Sequence, residues 1–90
     1  MWVLLVPENG AKIPMLAKAG NGLYLLAFKT GFTARKFLAA SQAASSVEPR
    51  MVVSSNRPEI LALVAGRDVA GMLVDYDFGT HTYKEASNLN

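Results

Sequence analysis

The sequence predicts a mixed α/β (α+β) domain in which a β-sheet of five to six strands carries two helices, in the order βββαβαβ(β). Three observations lead there. Short apolar runs rich in β-formers recur at Trp2–Val6, Leu23–Phe28, Met51–Val53 and Val69–Val74. Two intervening stretches change to the helical period. The first strands are separated by turn residues alone, the later ones by helices, so hairpins and crossovers share one sheet.

Trp2–Val6 is closed by Pro7 and by the turn cluster Glu8-Asn9-Gly10. Lys12–Lys18 alternates, with Ile13, Met15 and Ala17 on the apolar parity, and Pro14 assigns it to an edge where a missing N–H is tolerated. Gly20-Asn21-Gly22 supplies a tight turn, so residues 11–28 read as a hairpin ending in Leu23–Phe28. Thr30 and Thr33 offer hydroxyls to a helix over Ala34–Ala44, whose stripe is Phe37, Leu38, Ser41 and Ala44. Met51-Val52-Val53 reads as a short core strand. Ser54-Ser55-Asn56-Arg57-Pro58-Glu59 is the clearest helix start: a cap, a proline near the first turn, and an acid at the positive end of the helix dipole. Ile60, Leu61, Leu63 and Val64 form its buried stripe, and Gly66 suits the residue after the helix. Val69–Val74 follows as a strand, and Thr80–Lys84 alternates as an edge strand would. The domain spans residues 1–84, with 85–90 a frayed tail.

Composition bounds the function classes. Ninety residues make one domain, which buries roughly 60–70% of its unfolded surface and is marginal in stability. Without cysteine there is no disulfide or thiolate metal site. Hydrophobic residues make up 51% of the chain, more apolar surface than a small monomer easily hides. Apolar runs such as Leu23–Phe28 and Ile60–Ala65 fall far short of the roughly 18–20 residues that cross a bilayer. The start lacks the basic segment of a signal peptide. These features fit a cytoplasmic protein that does not enter a membrane. Net charge is +2, and Arg35-Lys36 is the one adjacent basic pair. Lys12, Lys18, Arg35 and Lys36 read as solvated charges, and with no basic stripe nucleic acid is not the expected partner.

The segment Leu23-Tyr24-Leu25-Leu26-Ala27-Phe28, then Lys29-Thr30 and a helix, resembles the N-terminal domain of the bacterial enhanced serine-sensitivity (SseB-type) proteins. Pro58–Ala65 and Ala70–Asp75 stand where that domain has its closing helix and strand. Phe28-Lys29-Thr30 replaces the family's Phe-Thr-Ser-like triplet, and Val74-Asp75-Tyr76-Asp77 its Asn-Pro-like end. The resemblance implies a mixed α/β domain without catalytic residues.

No constellation points to catalysis. His81 is the one histidine, and the chain lacks a Gly-x-Ser-x-Gly elbow. Asp75, Asp77 and His81 do not match an EF-hand or zinc spacing and read as solvated turn formers, so no metal or cofactor is expected. Ser54, Ser55, Asn56 and Arg57 form the best ligand candidate, an anion site of N–H groups, hydroxyls and a guanidinium, although capping explains all but Arg57. Trp2, Phe28, Phe32, Phe37, Tyr76 and Phe78 read as core or interface residues.

Leu23–Phe28, Met51–Val53 and Met72–Val74 are apolar on consecutive positions, as strands covered on both faces are. Either the two helices lie on opposite faces, or they share one and a partner closes the other. The sequence therefore predicts a non-enzymatic protein-interaction module, a homodimer joined through an apolar sheet face or an edge strand. The alternative is a regulatory domain binding a small anion at Ser54–Arg57.

Overall fold

The computed structural model describes residues 1–41, 46–77 and 79–88. Among them the chain forms β1 (Trp2–Glu8), β2 (Ala11–Pro14), β3 (Leu16–Ala19), β4 (Gly22–Ala27), α1 (Gly31–Ser41), β5 (Glu48–Met51), α2 (Arg57–Ala62), β6 (Val69–Val74) and β7 (Glu85–Ser87). The mixed α/β class is as predicted. The strands lie in two sheets, ordered β2-β1-β5 and β3-β4-β6-β7.

Two hairpins open the fold. Asn9 and Gly10, at φ 50° and 81°, join β1 to β2, and both therefore adopt the left-handed conformations that a two-residue hairpin loop demands. Gly20, at φ 60°, turns β3 into β4. The strand expected over Lys12–Lys18 is broken at Met15, where the chain passes from one sheet to the other. Met15 N–H donates to the Leu4 carbonyl at 2.7 Å, and the Met15 carbonyl accepts from Leu26 N–H at 3.1 Å. Pro14 is buried at this bend, at the end of β2, which is an edge strand of its sheet as the proline implied. Trp2 and Phe28 exchange two backbone hydrogen bonds of 2.6 and 2.8 Å, so the sheets are stitched together.

Side-chain alternation places two apolar clusters on opposite faces. Val3, Leu5, Leu25, Ala27 and Met72 face Ile60 of α2. Leu4, Leu26, Phe28 and Leu73 face Ala34 and Phe37 of α1. The parallel pair β4–β6 lies between the helices, which explains consecutive burial from Leu25 to Phe28 and from Met72 to Val74. The helices do not share a face. Among the described residues each face carries a helix, so the inference of a dimer from an uncovered face loses its premise.

Other expectations change in detail. Met51–Val53 is not a core strand: β5 ends at Met51 on a sheet edge, with Met51 48% and Val53 46% exposed. α1 begins at Gly31, ahead of Ala34, because Thr30 caps it. Thr33 N–H donates to Thr30 Oγ1 at 3.1 Å, and Thr33 Oγ1 returns a bond to the Thr30 carbonyl at 2.9 Å. Its stripe residue Phe37 is buried and Leu38 packs beside it, whereas Ala44 lies outside the described residues. α2 stops at Ala62, and the chain winds on in i→i−3 turns to Gly66 at φ 84°. That tighter winding buries Val64 and turns Leu63 outward. The final edge strand is Glu85–Ser87, paired with Val74–Met72, and not Thr80–Lys84. Thr80–Lys84 is bent by a turn in which His81 takes φ 56°, so half of the segment expected to fray is ordered as β7. No described helix is long and apolar enough to cross a membrane.

Candidate functional site

Ser54, Ser55, Asn56 and Arg57 connect β5 to α2, and their geometry serves the strand more than a ligand. Ser54 and Ser55 are exposed. Asn56 occupies the N-cap position of α2, but its side chain makes no capping bond there. It turns back instead: Nδ2 donates to the Met51 carbonyl at 3.0 Å, and Oδ1 accepts from Val53 N–H at 2.8 Å. Val52 N–H points inward, to the Met1 carbonyl at 2.7 Å. By strand alternation, Met51 and Val53 present their backbone groups to the outer edge. Asn56 thus occupies the place of a neighbouring strand. Pro49, on the same outward parity, offers no N–H at all. α2 itself has six residues, too few to align many peptide dipoles on an anion. Sequence reasoning saw the cap and missed the edge guard, though a proline inside the strand and an asparagine just past it were the available signal.

At the start of β5, Glu48 gathers two cations. Arg50 bonds it through Nε at 3.0 Å and through a second guanidinium nitrogen, and Lys12 Nζ reaches it from β2 at 3.0 Å. The Arg50 hydrogen bonds, then that of Lys12, hold the Glu48 carboxyl below its ordinary range. Lys12, Lys18 and Lys36 do not gather on one surface. Lys12 pairs with Glu48, Lys18 lines a hollow with Arg67 and Asp68, and Lys36 faces a different cleft.

That cleft lies where β4 and β6 end. Asp75, at φ 57°, ties the two strands together: its N–H donates to the Ala27 carbonyl at 2.8 Å, and its Oδ1 accepts from Lys29 N–H at 3.1 Å. Asp77 Oδ1 accepts from Gly79 N–H at 2.8 Å and from Thr80 N–H at 3.3 Å, an Asx turn. His81 Nδ1 meets the Tyr76 hydroxyl at 2.8 Å. Among the described residues no group of three His, Cys, Asp or Glu side chains is placed to hold a metal ion. Asp75, Asp77 and His81 shape the strand exits, in keeping with turn formation.

The aromatic residues divide. Phe28 and Phe37 are buried with ring centroids 5.3 Å apart, and Tyr76 continues the array 6.2 Å from Phe37. Phe78 lies outside the described residues. Phe32 is 72% exposed in the first turn of α1. The preceding residue, Gly31, packs on the half-buried Trp2 indole, where an added Cβ would come within 3.2 Å of the ring. Trp2 in turn stands opposite Met51 in the β1–β5 ladder. Trp2 thus lies between Gly31 of α1 and Met51 of β5, and Phe32, Met51 and Val53 are exposed large apolar side chains. The chain matches no protein-family model, and neither the curated proteins nor the solved structures include a match to it.

Proposed function

We propose that the domain is a non-enzymatic interaction module that self-associates through the surface around Phe32, Trp2, Met51 and Val53. One observation carries the reading: a phenylalanine 72% exposed in the first helical turn, next in the chain to the glycine that packs on a half-buried tryptophan. Large apolar side chains around an aromatic anchor are what the centre of an interface is made of. The mode differs from a sheet face or an added strand. Both faces hold a helix, and the outer edge of β5 is closed by Asn56 and Pro49. At this end of the fold contact between side chains is what remains, and a second copy meeting the same surface forms a closed two-fold pair.

The resemblance to the enhanced serine-sensitivity family supports a non-catalytic role, and a cytoplasmic setting belongs to the same reading. An anion held at Ser54–Arg57 has less behind it, because the Asn56 amide is already engaged by Met51 and Val53. Light scattering on the wild type and on Phe32→Glu tests the proposal. A dimer mass that falls to the monomer in the variant is expected, and a wild-type monomer at high micromolar concentration would remove it.

A further inference from the structure

We propose that the cleft at the ends of β4 and β6 is a binding site for a small aromatic carboxylate, a proposal independent of the self-association surface. In open α/β sheets ligands bind outside the carboxyl ends of parallel strands, and β4–β6 is the parallel pair of this fold. The cleft has a volume of about 190 Å³ and lies between α1 and the segment that follows β6. Its apolar wall is the array Phe28, Phe37 and Tyr76. The bond from the Tyr76 hydroxyl to His81, 2.8 Å long, anchors the Tyr76 ring, so the wall is set before a ligand arrives. One more ring would extend the array in the tilted geometry that aromatic pairs prefer.

The polar groups specify the rest. Thr33 Oγ1 is committed to Thr30, while Asp75 and Asp77 each accept backbone N–H groups through Oδ1. Lys36 and Lys84 also line the cleft, and among the described residues neither ammonium group has an ion-pair partner within 4.0 Å. Two lysines and two aspartates thus share a small cleft without closing a pair. The carboxylates hold the backbone, and the cations are available for a carboxylate brought by the ligand. The volume suits a small ligand: drug-sized molecules and cofactors occupy roughly 300–1,000 Å³, whereas one ring with its acid group fits within about 190 Å³. A bare inorganic anion would leave the aromatic wall in water.

Amide NMR titration of the full chain tests the site, with benzoate as probe and benzamide and inorganic phosphate as controls. Benzoate is expected to shift the amides of Lys36, Phe37, Ala40, Tyr76 and Lys84 saturably. Benzamide, the neutral isostere, and the exposed-site variant Lys36→Gln/Lys84→Gln should each lower the affinity by about tenfold or more, with the variant's Tm unchanged. Absence of saturable benzoate shifts overturns the proposal. So does benzamide binding as well as benzoate, phosphate shifting the same amides as strongly, or full affinity in the folded double variant.

Discussion

The Asn56 amide nitrogen lies 3.0 Å from the Met51 carbonyl oxygen, on the side of β5 where another strand would otherwise dock. The same side chain accepts from Val53 N–H, so two outward backbone groups are satisfied at once. An exposed edge invites pairing with other chains, and this one is occupied from within.

Replacing Asn56 by Ala removes both bonds. At roughly 0.5–1.5 kcal/mol for each net hydrogen bond, the loss of stability should reach about 1–3 kcal/mol. Asn56→Asp keeps the acceptor for Val53 and loses the donor to Met51, so it should fall between the two. Urea midpoints at constant m-value check the order, and light scattering should find Asn56→Ala more prone to aggregate.

Thr30→Ala should destabilise the domain by about 1 kcal/mol, because Thr33 N–H then loses its capping acceptor. Thr33→Ser, which retains a hydroxyl for the Thr30 carbonyl, should be nearly neutral. Thermal unfolding followed by far-UV circular dichroism separates the two variants.

Gly71 is required by the approach of β7. A Cβ at that position would lie 2.6 Å from the Ser87 carbonyl oxygen, which is backbone and cannot swing aside. Gly71→Ala should push β7 off β6. Overpacking of this kind costs about 1–3 kcal/mol. Amide exchange across Glu85–Ser87 should accelerate while the amides of β4 keep their protection.

Glu48 supplies the pH dependence. Arg50 and Lys12 hold its folded-state pKa below the ordinary glutamate value. The folded state therefore binds this proton less tightly than the unfolded chain does. The contribution to stability is present above the ordinary glutamate range and is lost as pH falls through the lowered folded value. Side-chain NMR titration should place Glu48 below a reference glutamate, and Arg50→Gln should move it back up. High salt should reduce the difference, since the three groups are exposed.

The fold was legible where local chemistry and burial agree. Asn9-Gly10 and Gly20 announced their hairpins, and Thr30 and Pro58 their helices. Consecutive apolar residues at Met72–Val74 correctly signalled cover on both faces. Met51–Val53 carries the same composition and lies on an edge, because three apolar residues do not say how many neighbours a strand has. The break at Met15 was hidden for another reason. Alternation continues through a bent strand, and the switch of partner from Leu4 to Leu26 is a tertiary event. For the sites, Asn56 was singled out on its residue type, whereas its partners, Met51 and Val53, depend on the loop folding back. The cleft joins α1 to residues beyond β6, a pairing far apart in sequence that no local pattern records.

Trp2 is the one tryptophan of the chain, half-buried within the surface assigned to self-association. Its fluorescence across a dilution series, from about 500 μM to about 1 μM to bracket a micromolar Kd, reports directly on that surface. Self-association predicts blue-shifted emission at the concentrated end, relaxing to the red on dilution, with Phe32→Glu red-shifted throughout. An emission maximum that stays fixed over the whole series, at the same wavelength in Phe32→Glu, would contradict it.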